Sequence, residues 1–512
     1  MSSDDDGEDA KLRSYLPASF GKTTAAVAIA DLEPRYRQYI RADYASRIAV
    51  KKESRNSDSD DSSDDDDLDN LPISHELVLK DHNKTVSALD LDPAGVRLVT
   101  GSHDYTLSLW DFTGMNPASL RPFRSIEPCD SHLIRAASFA PAGDRVLVTP
   151  ASSQAKIYSR DGIELAECVR GDMYLRDMHN TDGHVAELTS AEWHPSTASL
   201  FATGARDSTI RLWDAGTVRR KQRDVIVVRS PKSTGNRTTI SALAFSPEGK
   251  YLAAATTDGG LAYWPTDGPY ARPVAHLPTA RTAGAWTSSV TYAPNDEHMM
   301  LVRNGSAGAL SDGDPEDGTV ELWDTRSFKT PLLVRKNLPN AVQETNATFS
   351  PDGRYIITGT SATPDEPVGK LFVLDKSDLS TITALTLTPP PDVPAAKQTS
   401  VVRSLWHPKL NQLIASTSSG SVHVLFSRIL STPHTGACAV VERAPKVRHV
   451  DDDVTADVDL NEAVANPITS RKKNQQIRRP EIPLARRMHG EVRVLHVEDE
   501  KDDEAARKRR RF

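Results

Sequence analysis

Cysteine is scarce: Cys129, Cys168 and Cys438 are the only three in 512 residues, far apart and without a C-x-x-C pair. That excludes a disulfide framework and a cysteine-rich zinc site, and it fits a reducing compartment. No apolar run approaches the roughly 20 residues that a membrane-spanning helix needs. The opening MSSDDDGEDA is acidic, which speaks against a secretory signal or a mitochondrial presequence. A soluble intracellular chain with no membrane partner is expected. The 15 histidines form no H-E-x-x-H, and no G-x-S-x-G elbow occurs. GKTT (21–24) ends like a phosphate-binding loop, but Leu16 stands where the first glycine is required, and no strand precedes it. The expectation is a chain with no catalytic residue, no cofactor and no metal, and so not an enzyme.

A large excess of one charge is also missing. Lys and Arg total 62 against 70 Asp and Glu, a formal net charge of −8. That is mild for this length and by itself argues neither for nor against nucleic acid; direct nucleic-acid binding is not expected of the chain. The distribution says more. Residues 57–67 read SDSDDSSDDDD, which places Ser57, Ser59, Ser62 and Ser63 in the context that acid-directed kinases favour. The run is read equally well as a phosphorylated arm for basic partners or as a solubilising tail. The chain closes on RKRRRF, and Arg507, Lys508, Arg509, Arg510 and Arg511 read as a nuclear import signal in preference to a nucleic-acid contact or a solvated tail; SRKK (470–473) with Arg478 and Arg479 is a weaker basic cluster. Residues 1–71 and 443–512 hold no pattern long enough for a core and are expected to be disordered arms.

Between the arms one element recurs seven times: LDLDPAG (89–95), ASFAPAG (137–143), AEWHPST (191–197), LAFSPEG (243–249), VTYAPND (290–296), ATFSPDG (347–353) and SLWHPKL (404–410). Each is an apolar strand followed by proline and a turn. Proline cannot donate to a ladder and presets the turn. A second short apolar run follows, as in RLVTG (97–101) or YIITG (355–359), then a third that often ends in Trp, as in LSLW (107–110) or VELW (320–323). With a variable fourth strand, this is a four-stranded antiparallel unit. Seven such units predict an all-β fold, a seven-bladed WD40-type β-propeller over residues 72–442, which leaves few exposed edges.

Polar residues support that reading. His82, Thr100, Asp104 and Trp110 stand where such a blade places a His–Thr–Asp–Trp hydrogen-bond chain, and His184, Thr203, Asp207 and Trp213 repeat it. In both, Thr lies ten and Asp six residues before Trp. Asp258 with Trp264 and Asp317 with Trp323 keep the six-residue offset alone. Tyr158, Leu374 and Leu425 replace Trp in units two, six and seven, which predicts blades held mainly by apolar packing. The outer strand of blade seven is left open between HELVL (75–79) and ACAVV (437–441). Residues 304–318, NGSAGALSDGDPEDG, read as a surface loop inserted in unit five. Trp193-His194-Pro195 and Trp406-His407-Pro408 look like paired sites but read as ordinary strand-end turns.

Several stretches outside the repeat carry a resemblance: FRSIEPCDSH (123–132), ECVRGDMYLRDMHNTDGHVAELTSAEWHP (167–195), SVVRSLWHPKLNQ (400–412) and LPASFGK (16–22). With KTVSALDLDPAGVRLVTGSHDYTLSLWDFTGM (84–115), they resemble the nuclear WD-repeat-containing protein 70 family, also called gastrulation-defective protein homologues. The resemblance covers about residues 72–442 and the 16–22 patch. It implies a non-enzymatic nuclear scaffold, a monomer within larger complexes. The implied role is substrate receptor of a cullin-4 ubiquitin ligase, acting in histone H2B ubiquitination and the DNA-damage response. The alternative it implies is a spliceosome-associated scaffold without a ligase role. Partners would be the ligase adaptor and chromatin or splicing factors. The adaptor-contact motif maps onto Trp323, Asp324 and Arg326 in DGTVELWDTR (317–326).

Overall fold

The computed structural model describes residues 71–442 except 117–118, 176, 230–237, 278–284, 307–317, 364–365 and 388–397. Both arms but for Leu71, which is buried in a core cluster with Ile73, lie outside the described residues, and with them LPASFGK, GKTT, the 57–67 run and the 507–511 cluster. The described chain forms seven four-stranded antiparallel sheets. Their innermost strands are Val86–Leu91, Ile134–Phe139, Leu188–Trp193, Ile240–Phe245, Ala285–Ala293, Ala347–Phe349 and Val401–His407. Each lies against the next, and the seventh lies against the first, so the ring is closed. The seven prolines, 93, 141, 195, 247, 294, 351 and 408, each follow one innermost strand. This is the seven-bladed propeller that the repeat predicts.

Register explains why Trp is replaceable. Trp110 pairs with Leu98, Tyr158 with Val146, Trp213 with Phe201, Trp264 with Leu252, Trp323 with Met300, Leu374 with Ile356 and Leu425 with Leu413. One position on the third strand is buried in every blade, and any large side chain can fill it. Clusters such as Leu77, Leu91, Trp110, Phe112 and Ile414 join neighbouring blades through apolar burial, the dominant favourable term in folding.

Three expectations are corrected or decided. The outer strand of blade seven is His75–Lys80, antiparallel to Ser421–Phe426 with Leu77 opposite Val424. ACAVV is instead part of the helix Gly436–Glu442, which packs against Leu410 and Phe426. Strand pairing with residues 75–80 gives the buried His423 a carboxylate partner in Glu76, which ACAVV has no residue to supply. Blade seven is therefore not held by apolar packing alone. In unit five the supposed loop begins too early: Asn304–Ser306 continue the strand Asp296–Ser306, opposite Thr287, Trp286 and Ala285. Asn304 is buried because its amide donates to Glu321 at 2.8 Å.

Candidate partner-docking site

The two polar chains serve the blades. Trp213 Nε1 donates to Thr203 Oγ1 at 2.7 Å, and Thr203 Oγ1 lies 2.7 Å from His184 Nε2. His184 Nδ1 lies 3.0 Å from Asp207 Oδ2. Burial pushes the His184 pKa down, which keeps the ring neutral. The chain then runs one way: indole N–H to Thr203, Thr203 O–H to Nε2, and Nδ1–H to the carboxylate. Burial works against ionisation of Asp207, but the His184 partner and the Thr209 hydrogen bonds outweigh it and hold the carboxyl well below the usual range. In blade one, Trp110 donates to Thr100 at 3.0 Å, Thr100 meets His82 Nε2 at 2.8 Å, and His82 Nδ1 meets Asp104 at 3.1 Å. All eight side chains are thus occupied inside their own blades.

Two further networks have no signature of fixed spacing. In blade five Trp323 Nε1 donates to Glu321 Oε2 at 2.9 Å; Asp317 lies outside the described residues. In blade seven Glu76 Oε1 sits 2.6 Å from His423 Nδ1, and His423 Nε2 sits 2.8 Å from Ser421 Oγ. The signal for this one was present only as a histidine on a strand otherwise made of apolar and small residues, with its acid 347 positions away.

The two Trp-His-Pro turns are ties between blades. His194 Nε2 meets the carbonyl of Gly249 at 3.1 Å, while its Nδ1 accepts from Thr197 N. A Cβ on Gly249, whose φ is +80°, would stand 2.3 Å from the His194 ring, so glycine makes the tie possible. His407 reaches the Asp92 carbonyl of blade one at 3.1 Å in the same way. At the ring's centre lies a cavity of about 450 Å³ whose lining includes Asp90 and Glu192. Each carboxylate accepts from the next blade's backbone, Phe139 N at 2.6 Å and Phe245 N at 3.2 Å. Burial raises their pKa values to about 7 and about 8.

Trp323, Asp324 and Arg326 differ from these groups because one of them faces out. Trp323 is buried at the end of the third strand of blade five, Val320–Asp324. Asp324 caps the short 3-10 turn Thr325–Ser327, accepting from Arg326 N at 2.9 Å. It also clamps the guanidinium, with Nε and Nη2 each 3.1 Å from one of its oxygens. Arg326 keeps 66% of its side-chain surface exposed. The ion pair holds Asp324 below the ordinary carboxylate range. The turn is braced from behind: Tyr263 of blade four donates to the Thr325 carbonyl at 3.0 Å, and His298 meets the Thr325 hydroxyl at 3.2 Å. Phe328 packs against both Tyr263 and Trp323. Asp324 thus aims a guanidinium whose Nη1 edge it does not use.

Among the described residues, no cluster of His, Cys, Asp and Glu could hold a metal, and no helix is long and apolar enough to cross a membrane. The repeat family described as WD domain, G-beta repeat matches residues 74–111, 176–214 and 229–264. WD repeat-containing protein 70 of Xenopus tropicalis is 39% identical over 75% of this chain and 58% of its own length. Gastrulation defective protein 1 homolog of Drosophila melanogaster is 33% identical over 72% and 53%. An uncharacterized WD repeat-containing protein of Schizosaccharomyces pombe is 28% identical over 89% and 80%. The chain spans a little over half the length of the first two relatives.

Proposed function

Since the chain belongs to the WD repeat-containing protein 70 family, we propose that it is a non-enzymatic nuclear substrate receptor that docks on the adaptor of a cullin-4 ubiquitin ligase and presents chromatin targets, histone H2B among them, during the DNA-damage response. The propeller itself is a protein-interaction scaffold. The observation that carries the finer reading is the Asp324–Arg326 turn of blade five. An exposed guanidinium that already lies in one geometry loses little freedom on binding, and its planar fork pairs with carboxylates or carbonyls of a partner.

The experiment is Arg326→Ala in the full chain. The residue is exposed and supports no packing, so stability should stay within about ±0.5 kcal/mol. Co-purification of the adaptor and cullin should fall sharply, since loss of an interface Arg commonly costs about 2 kcal/mol or more. Undiminished adaptor binding by a folded variant would remove the reading. Co-purification of small nuclear ribonucleoproteins without adaptor or cullin would put the splicing scaffold in its place. Nuclear entry is assigned to Arg507–Arg511; a chain ending at Ala506 should accumulate less in the nucleus, and full nuclear retention would refute that.

A further inference from the structure

A loop between blades two and three carries features that neither the ring nor the blade-five turn uses. Residues 171–175 and 177–183 belong to it, and it leaves and re-enters the fold through a neck where two backbones touch. A Cβ on Gly171 would lie 2.0 Å from the Gly183 carbonyl oxygen, and one on Gly183 would lie 1.9 Å from that of Val169. Inside the loop, the fully buried Arg211 donates through Nη1 to the Thr181 carbonyl at 2.8 Å and through Nη2 to that of Met178 at 3.2 Å. Gln222 donates to the same Thr181 carbonyl at 2.7 Å. Burying a guanidinium is costly unless its N–H groups are matched. Here the matching groups are the carbonyls of Met178 and Thr181, so that end of the loop is held by the blade beneath it.

Among its described residues this loop presents an apolar run. Met173, Tyr174 and Leu175 are consecutive and exposed, Tyr174 to 86%. Asp172 closes their turn by accepting from Tyr174 N at 2.9 Å. The neighbouring turn is cationic: Arg219, Arg220 and Lys221 are all exposed. It adjoins the loop through Gln222 N, which donates to the Asp182 carbonyl, and Val169 N, which donates to that of Val218. Arg219 bonds the carbonyl of Leu165, itself exposed on the outer edge of blade two. Arg220 and Lys221 enter no ion pair among the described residues, whereas the carboxylates of Asp172 and Asp177 are engaged by the loop's own amides.

We propose that residues 172–175 of this loop and the 219–221 turn form a docking surface for an acidic segment of a partner protein that carries one large apolar side chain. Exposed Tyr and Met beside Arg, on a turn closed by Asp172, is the composition of an interface centre. The cations choose the sign of the partner and steer its approach. A protein segment fits better than an anionic membrane, because a chain can set its acidic residues over Arg220 and Lys221 and its apolar one over the loop, whereas a continuous headgroup layer would also face the exposed carboxylates of Asp172, Asp177 and Asp182. The surface is separate from the Asp324–Arg326 turn, and its test does not depend on the ligase.

The test measures fluorescence anisotropy of the full chain with a short labelled peptide of Asp and Glu carrying one central Phe. Binding should weaken about tenfold or more in Tyr174→Ala and in the double variant Arg220→Glu/Lys221→Glu, with unchanged melting temperatures. Met173→Ser is the second variant should Tyr174→Ala fail to fold. The peptide SDSDDSSDDDD, which is residues 57–67 of this chain, has the charge without an apolar anchor and should bind about tenfold more weakly than the Phe peptide. Any of four results would overturn the proposal: no binding by the parent chain, equal binding by the variants, equal binding of the anchorless peptide, or preferential binding to phosphatidylserine-containing vesicles. Self-association that Tyr174→Ala abolishes would also overturn it, by making a second copy the occupant.

Discussion

Replacing Glu76 by Ala should loosen the closure of the ring. Glu76 lies on the only strand of blade seven that comes from the start of the propeller, and its carboxylate is 2.6 Å from His423 Nδ1. Both residues are buried, His423 completely. His423 Nε2 is already engaged by Ser421, so the ring cannot turn to another partner without losing that bond. The alanine variant removes one hydrogen bond to a charged group and strands a buried N–H, each worth about 1–3 kcal/mol. Because the two overlap, the expected loss is about 2–3 kcal/mol. Gln at the same position keeps an oxygen for Nδ1–H, and Glu76→Gln should cost no more than about 1 kcal/mol. Urea unfolding followed by tryptophan fluorescence reads both, and a cycle with His423→Ala should give a coupling of at least about 1 kcal/mol. A loss below 0.5 kcal/mol for Glu76→Ala, or equal losses for Ala and Gln, would refute the reasoning.

Asp207→Ala should destabilise by about 1–3 kcal/mol, because it unpairs the His184 N–H inside blade three; an unchanged urea midpoint would contradict that. The cavity acids predict a pH dependence. Asp90 and Glu192 have folded pKa values raised from 3.8 and 4.5 to about 7 and about 8. The folded state therefore holds more protons than the unfolded one between these limits, and the contribution of both groups to stability falls as pH rises from about 4 to about 8. Buried neutral histidines such as His184 act in the opposite sense below 6.5. The decisive quantity is thus the difference between the parent and Asp90→Asn/Glu192→Gln. That variant should gain relative stability steadily from pH 5 to pH 8, and parallel profiles would rule the carboxyls out.

The seven turns were legible because proline after a strand has one physical meaning and recurred at every blade. His82 and His184 were legible for a similar reason: their Thr, Asp and Trp partners sit at fixed offsets within one unit. Glu76 was not, since in HELVLK an alternating acid reads as the wet face of an edge strand, and only the ring's closure brings His423 over it. Arg211 was hidden in the same way. Its place in IRLW alternates with apolar residues as a solvent-facing side chain would, and the carbonyls that meet it come from Met178 and Thr181, ahead of the blade's first strand. Local order was written in local spacing; what was hidden depended on contacts between segments far apart in the chain.

The closure has a temporal side as well. The strand His75–Lys80 is among the first parts of the propeller to be synthesised, yet its partner ends at Phe426. At about 5–20 residues per second, roughly 20–70 s of translation separate the two. Throughout that time HELVLK is a hydrophobic strand with both hydrogen-bonding edges open, the kind of template that recruits wrong partners. Six blades can assemble behind it, but the seventh cannot be sealed until Ser421–Phe426 has been made. A nascent chain of this protein stalled before residue 421 should therefore depend on chaperones in a way that the released chain does not; equal aggregation of the stalled and completed chains without chaperone would show that the early strand finds shelter elsewhere.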